Sequence, residues 1–333
     1  MTEPRKVLIR LDDRARLISA ALAATLYPLQ SQQRQKHGVT LHARGTRKWV
    51  SVYGTHPAVL TLQGLLDAGI GLEPIYTHIL DSDWPTFNSE RRADWVPPEW
   101  GEQLRQFHES ANLAAWWTDE DEQWQLPIRH LTRVLAPMDL YRALEVYFGP
   151  LREQLVVLPN ISFPTDQILA VRSGDDLFAV LPPRRAWGDS APWPYESDKT
   201  YVYQEALRAY LRLLLDAMLD AQPEEVAAAS ERPLPVGERF ARLHPIWREQ
   251  FTELFIAGAM VLFLEDTLDP REARAYAQQV TKVEGLTLLP NVVRLMKRYE
   301  GDRALGKYAT FMDYFTIFIR QLRVTLTLSP AGR

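Results

Sequence analysis

Residues 7–11, VLIRL, alternate in the manner of a strand, and Asp12-Asp13 behind them are placed to cap a helix. That helix is expected over residues 14–35, with Ala15, Ile18, Ala21, Leu22 and Leu26 on one face. Residues 36–48, KHGVTLHARGTRK, read as a solvated basic loop or edge strand, or else as a phosphate or nucleic-acid patch. His56-Pro57 opens a second helix, with proline just inside its start, and Gly69 and Gly71 end it. A short segment is expected over 75–80 and a helix over 102–117. A polar break over 118–123 follows, then two helical pieces, 128–135 and 138–149, split by Pro137. Residues 155–158 read as a buried strand. Residues 167–172 and 177–182 read as a hairpin turning at 173–176. After a Trp/Pro loop at 187–194 comes a long helix, 200–220, and then a mobile connection, 222–238. Helices over 247–266, 270–284, 289–299 and 312–322 complete the pattern. Strands fall in the first 185 residues and helices fill the rest, so the fold class is α+β. The expected division is an N-terminal α/β part with a small sheet, 1–199, and a helical part, 200–325, as one continuous unit.

The helix over 200–220 is the element around which this pattern is organised. It looks almost wholly buried, yet it carries charges. Its Gln204-Glu205-Ala206-Leu207-Arg208 stretch occupies the register of an H-E-x-x-H motif. In that motif two histidines one turn apart hold a zinc ion, and the glutamate between them is general base to the metal-bound water. Here Gln204 and Arg208 stand at the histidine positions. Glutamine is a poor zinc ligand, and a guanidinium that stays protonated cannot be one. Gln204, Arg208, Arg212, Asp216 and Asp220 also recur every fourth residue. A solvated helix face with an Arg212–Asp216 pair is the default explanation of that spacing. Glu253, just ahead of the apolar run 254–264, can be a ligand, a partner for arginine, or simply exposed, which is the default for a lone glutamate.

Composition narrows the classes. With 333 residues, 46% hydrophobic and 24% charged, the chain is ordinary globular material. A net charge of −4 speaks against a nucleic-acid footprint. No cysteine is present, which excludes disulfides, thiolate metal sites and a cysteine nucleophile. None of the seven histidines has another at i+4. G-x-S-x-G, Walker and G-x-G-x-x-G motifs are missing. The run 254–264 covers about 16 Å as a helix, roughly half a bilayer core. The charged start, with Asp12, Asp13, Arg14 and Arg16, lacks the apolar stretch of a signal peptide. A soluble, cytoplasmic protein without membrane contact is expected.

With these residues in view, the chain resembles the zincin-like proteins grouped as domain of unknown function 4932. The likeness lies in ordered landmarks: the first strand and helix, His56-Pro57-Ala58-Val59 with Gly69-Ile70-Gly71, Tyr147-Phe148-Gly149, the hairpin before the 200–220 helix, and that helix itself. It continues through Glu253, Tyr299, Arg303, Tyr308 and the segment 311–315. The resemblance implies a glutamate-zincin fold with a metallopeptidase-like centre. Carried over, the first histidine falls on Gln204, the general base on Glu205, the second histidine on Arg208 and the late ligand on Glu253. Two of three ligands are then missing, so Glu205 is expected as a vestigial base with no zinc or other cofactor. Arg208, held by Glu205 or Glu253, would stand in for the lost charge. Three functions follow as expectations. The chain is a degenerate metallopeptidase homologue binding a peptide or protein in the former cleft. Alternatively it is an active hydrolase using Glu205 with non-standard metal ligands. Or it is a structural interaction module whose cleft is filled by the 187–194 loop.

Overall fold

The computed structural model describes residues 5–87 and 92–327. In chain order, β1 (Leu8–Ile9) leads into α1 (Asp13–Ala24), α2 (Tyr27–Arg34), α3 (Leu41–Val50), α4 (Pro57–Asp67) and α5 (Leu72–Leu80). Then come α6 (Trp100–Ser110), α7 (Leu113–Asp119), α8 (Asp121–Leu135) and α9 (Leu140–Phe148). Strands β2 (Gln154–Pro159), β3 (Leu169–Ser173) and β4 (Asp176–Leu181) precede the long helix α10 (Lys199–Asp220). The chain continues through α11 (Pro223–Ser230), α12 (Glu238–Leu243), α13 (Trp247–Thr267), α14 (Pro270–Glu284), α15 (Leu289–Ala304) and α16 (Met312–Thr327). The α+β class holds: mostly helix, with one small mixed sheet. No helix among the described residues is long and apolar enough to cross a membrane.

Contacts group the chain into two compact units, residues 1–137 with 153–209, and 138–152 with 210–333. This grouping differs from a simple break at 199/200.

In the first unit the strand order is β1-β2-β4-β3, with β3 antiparallel to β4 and the other pairs parallel. Val156, Leu158, Phe178, Val180, Leu169 and Val171 face one side and join the core built on α1. Their alternate neighbours, among them Leu155, Val157, Leu177 and Ala179, are buried as well. Burial on both faces is why the strands read as apolar runs rather than as alternation. The edge strand β3 does not leave its backbone bare: the Ala170 N–H donates to Glu73 Oε1 at 3.0 Å.

Several boundaries differ from the sequence pattern. The helix expected over 14–35 breaks at Thr25-Leu26, where Thr25 turns to extended backbone with its Oγ1 donating back to Leu22 O, and Pro28, in the first turn of α2, has no N–H to give to Ala24. The 36–48 stretch stays irregular only over 36–40, with a bridge from His37 to Gly188, and is helical from Leu41 onward. Thr40 caps α3 by accepting from Ala43 N at 2.9 Å, and His42, Ala43, Thr46 and Val50 make its buried face. That face escapes a hydrophobicity reading because two members are polar. His42 satisfies its ring through Glu120 and Thr46. The 102–117 helix breaks at Asn112, which adopts a left-handed conformation that asparagine tolerates. The polar break over 118–123 shrinks to Glu120, between α7 and α8. The mobile connection over 222–238 contains the ordered helix α11, with proline in its first turn.

In the second unit, α13 is buried without interruption from Phe251 to Leu264, more continuously than α10. Residues 138–152 belong here because α9 ends on this unit's C-terminal segments. The Phe311 N–H donates to Tyr147 O, Tyr299 Oη to Val146 O and Arg303 Nη2 to Glu145 O. The first two satisfy carbonyls that a helix end leaves open, while Glu145 O also accepts from Gly149 N.

Candidate binding pocket beside Glu205

Helix α10 starts where it does because Asp198 caps it, accepting from Tyr201 N at 2.9 Å. The same carboxylate is ion-paired with Arg184, so the cap also ties the preceding loop to the helix start. Val202, Tyr203, Ala206 and Leu207 are buried, while Gln204, Glu205 and Arg208 are half-buried on the helix flank. Tyr201 lies one turn before Glu205 on the same face. Its hydroxyl donates to Pro182 O at 3.1 Å, just past β4. Burial, then the Glu205 carboxylate beside it, push the Tyr201 phenol well up.

Tyr201 and Glu205 form one wall of a cavity of about 310 Å³ in the first unit. Asp166 and Ile168, ahead of β3, and Pro182, after β4, form a second wall. The carboxyl end of a parallel strand is where open α/β sheets commonly take ligands. Lys36 and His37 contribute a third wall, and Arg184, Arg185 and Trp187 the rim. Gly38 lets the rim loop approach, since a Cβ there would overlap the Ser190 carbonyl. Trp187 is 91% exposed, so the 187–194 loop borders the cavity with an open indole.

Most charges on these walls are matched. Lys36 Nζ lies 2.9 Å from Asp189 Oδ2, and Arg184 pairs with Asp198. Asp166 accepts from Arg34 Nη2 at 2.9 Å and from Tyr27 Oη at 2.8 Å. Burial pushes the Asp166 carboxyl up, but these hydrogen bonds outweigh it and hold the group below its ordinary value. His37 is fixed by two bonds: Nδ1 donates to Gln35 O at 2.7 Å, which leaves Nε2 to accept from Thr165 Oγ1 at 2.9 Å. Arg185 differs. Its Nη1 donates to the neutral Gln35 amide oxygen at 3.0 Å, and among the described residues no carboxylate lies within 4.0 Å of it.

Of the residues singled out from the sequence, Glu205 lines the cavity, and Gln204 and Arg208 are not among its described lining residues. Glu253 is not exposed, as a lone glutamate would be. It is 8% accessible and accepts from Arg212 Nη2 at 2.5 Å. The Arg212–Asp216 pair is not formed either, because Arg248 holds both Asp216 and Asp220. Among the described residues, no group of three or more His, Cys, Asp or Glu side chains could hold a metal ion. Sequence reading missed Asp166, Tyr201 and Arg185. They stand far from one another and from Lys36-His37 in the chain, and no spacing rule joins them. The one signal was the basic start of the 36–48 stretch.

Comparison with family models, with curated proteins and with solved structures finds no match to this chain. The zincin-like resemblance therefore rests on the residues and their order alone.

Proposed function

We propose that this chain is a degenerate zincin-like protein of the glutamate-zincin type, and that it binds a peptide segment without hydrolysing it in the cavity beside Glu205. The observation that carries the reading is the place of Glu205. The residue at the general-base position lines a cavity large enough for several side-chain-sized groups, while Gln204 and Arg208 fill the positions where that chemistry needs imidazoles. An arginine at a ligand position repels a dication, and a glutamate without a metal-activated water is a weak base for amide hydrolysis. The hairpin β3–β4 precedes α10, with the 182–198 loop between them, the order on which the resemblance depends. The alternative of an active hydrolase also draws on Glu205 and is separated by the same experiment.

The test uses a defined pool of synthetic eight-residue peptides, with retention and cleavage both followed by mass spectrometry, and metal content measured on the same protein. Expected are retained but intact peptides, no stoichiometric zinc in the natural chain, and zinc uptake by the Gln204→His, Arg208→His double variant. Cleavage that disappears in Glu205→Gln would establish the hydrolase instead. Retention of no peptide at all would leave a purely structural module.

A further inference from the structure

We propose that the occupant of this cavity carries a carboxylate seated on the Arg185 guanidinium, with an apolar or aromatic group beside it laid on Trp187. This rests on the reading of the cavity as a peptide-binding site and specifies what that site selects.

Charge matching points to Arg185. Lys36 and Arg184 already hold Asp189 and Asp198, and Asp166 is held by Arg34 and Tyr27. Glu205 has an interaction of its own. Arg185 is the rim cation with no carboxylate within ion-pair distance among the described residues. Among the described residues its hydrogen bond is to Gln35 Oε1, which uses one N–H. Further N–H donors remain in the forked geometry that fits the two oxygens of a carboxylate.

The number of charges argues for a monoanion. One unmatched cation neutralises one negative charge, and the Asp166 and Glu205 carboxylates that also line the cavity would oppose a second. The cavity walls also lack the glycine-rich turn of backbone N–H groups that cradles a phosphate. Trp187, two residues beyond Arg185, is 91% exposed on the same rim and supplies a flat apolar surface next to the charge. A peptide can present this pair of groups in two ways: as its C-terminal carboxylate beside an apolar last side chain, or as an Asp or Glu side chain beside one.

The experiment compares three sets of probes by tryptophan fluorescence and calorimetry. Peptides of the pool are made with free and with amidated C-termini. Asp and Glu members are matched with Asn and Gln versions. Phenylacetate is matched with phenylacetamide. Each is measured on the natural chain, Arg185→Gln, Arg185→Lys and Trp187→Ala. Both altered side chains are exposed, so an unchanged thermal midpoint is the folding control. Carboxylate probes are expected to bind about 10- to 100-fold more tightly than their amides, and Arg185→Gln to abolish that preference. Arg185→Lys should keep part of it. Loss on amidation identifies the C-terminal source, and loss on Asp→Asn identifies the side-chain source. Equal binding of acids and amides, unaffected by Arg185→Gln, overturns this inference and leaves the peptide-binding reading standing. Binding of phenylacetate with no peptide bound at all does the reverse. No binding by any probe overturns both.

Discussion

The ion pair between Arg212 and Glu253 joins a guanidinium whose side chain is 40% exposed to a carboxylate whose side chain is 10% exposed. Most of the desolvation therefore falls on the glutamate, and removing its partner leaves a buried charge with less compensation. Arg212→Ala is expected to destabilise the protein by about 1–3 kcal/mol, with Glu253→Gln costing less because the amide can still accept a hydrogen bond. The double change Arg212→Met, Glu253→Met should recover most of the loss, since apolar groups of similar volume need no partner. Urea unfolding of the four proteins checks this. A double variant no more stable than Arg212→Ala would show that the two side chains do not act as a pair.

At the scale of elements, α13 depends on one close approach. Gly258 lies against α15, where an added Cβ would overlap Met296 Sδ and stand 2.6 Å from Val292 Cγ1. Glycine inside a helix costs about 1 kcal/mol relative to alanine, so an exposed Gly→Ala change would stabilise. Here overpacking wins. Met296 can move aside, but a β-branched valine cannot readily do so. Gly258→Ala is expected to lower stability by about 1–2 kcal/mol. Val292→Ala in the same chain should restore part of that, as read from thermal midpoints. A stabilised Gly258→Ala would show that the α13–α15 packing is loose. At this scale the expected pattern of strands and C-terminal helices largely matches the structure. Caps and prolines mark the ends, and apolar periodicity marks the faces. The 36–48 stretch was illegible because the buried face of α3 includes His42 and Thr46. Their burial becomes tolerable only once Glu120, 78 residues from His42, supplies a hydrogen bond.

The whole molecule has a pH profile set by burial at several distant points. Burial pulls His42, His56, His78 and His108 below the ordinary imidazole value, with Glu120 opposing it at His42. A depressed histidine contributes stability above its unfolded value of about 6.5, and that contribution is lost as pH falls through the folded value. Asp12 acts in the same sense lower down. Burial raises it, the Arg14 interactions outweigh that, and its contribution is lost as pH falls below about 3.9. Glu300 works oppositely. Burial raises it against the hydrogen bond from Tyr147, so its contribution is lost as pH rises above the ordinary carboxyl range. Four histidines against one glutamate predict that the urea midpoint falls between about pH 7 and pH 5. His78→Phe, which keeps a ring stacked on Trp100, should flatten that fall. A natural chain whose midpoint is constant over this range would contradict it.

The sequence by itself determined the α+β class, the hairpin before α10, the helical C-terminal half and the absence of histidine at positions 204 and 208. These follow from local rules: apolar period, capping chemistry and the protonation of a guanidinium. Tertiary structure alone decided what surrounds Glu205. Asp166, Arg185 and Tyr201 line its cavity together because the start of β3, the end of β4 and the start of α10 come to the same end of the strands, with Lys36 and His37 brought against them. It also decided that Arg212, rather than solvent, meets Glu253. The physical reason is the same in both cases. The role of a charged side chain depends on which distant groups share its low-dielectric surroundings, and chain spacing does not encode that.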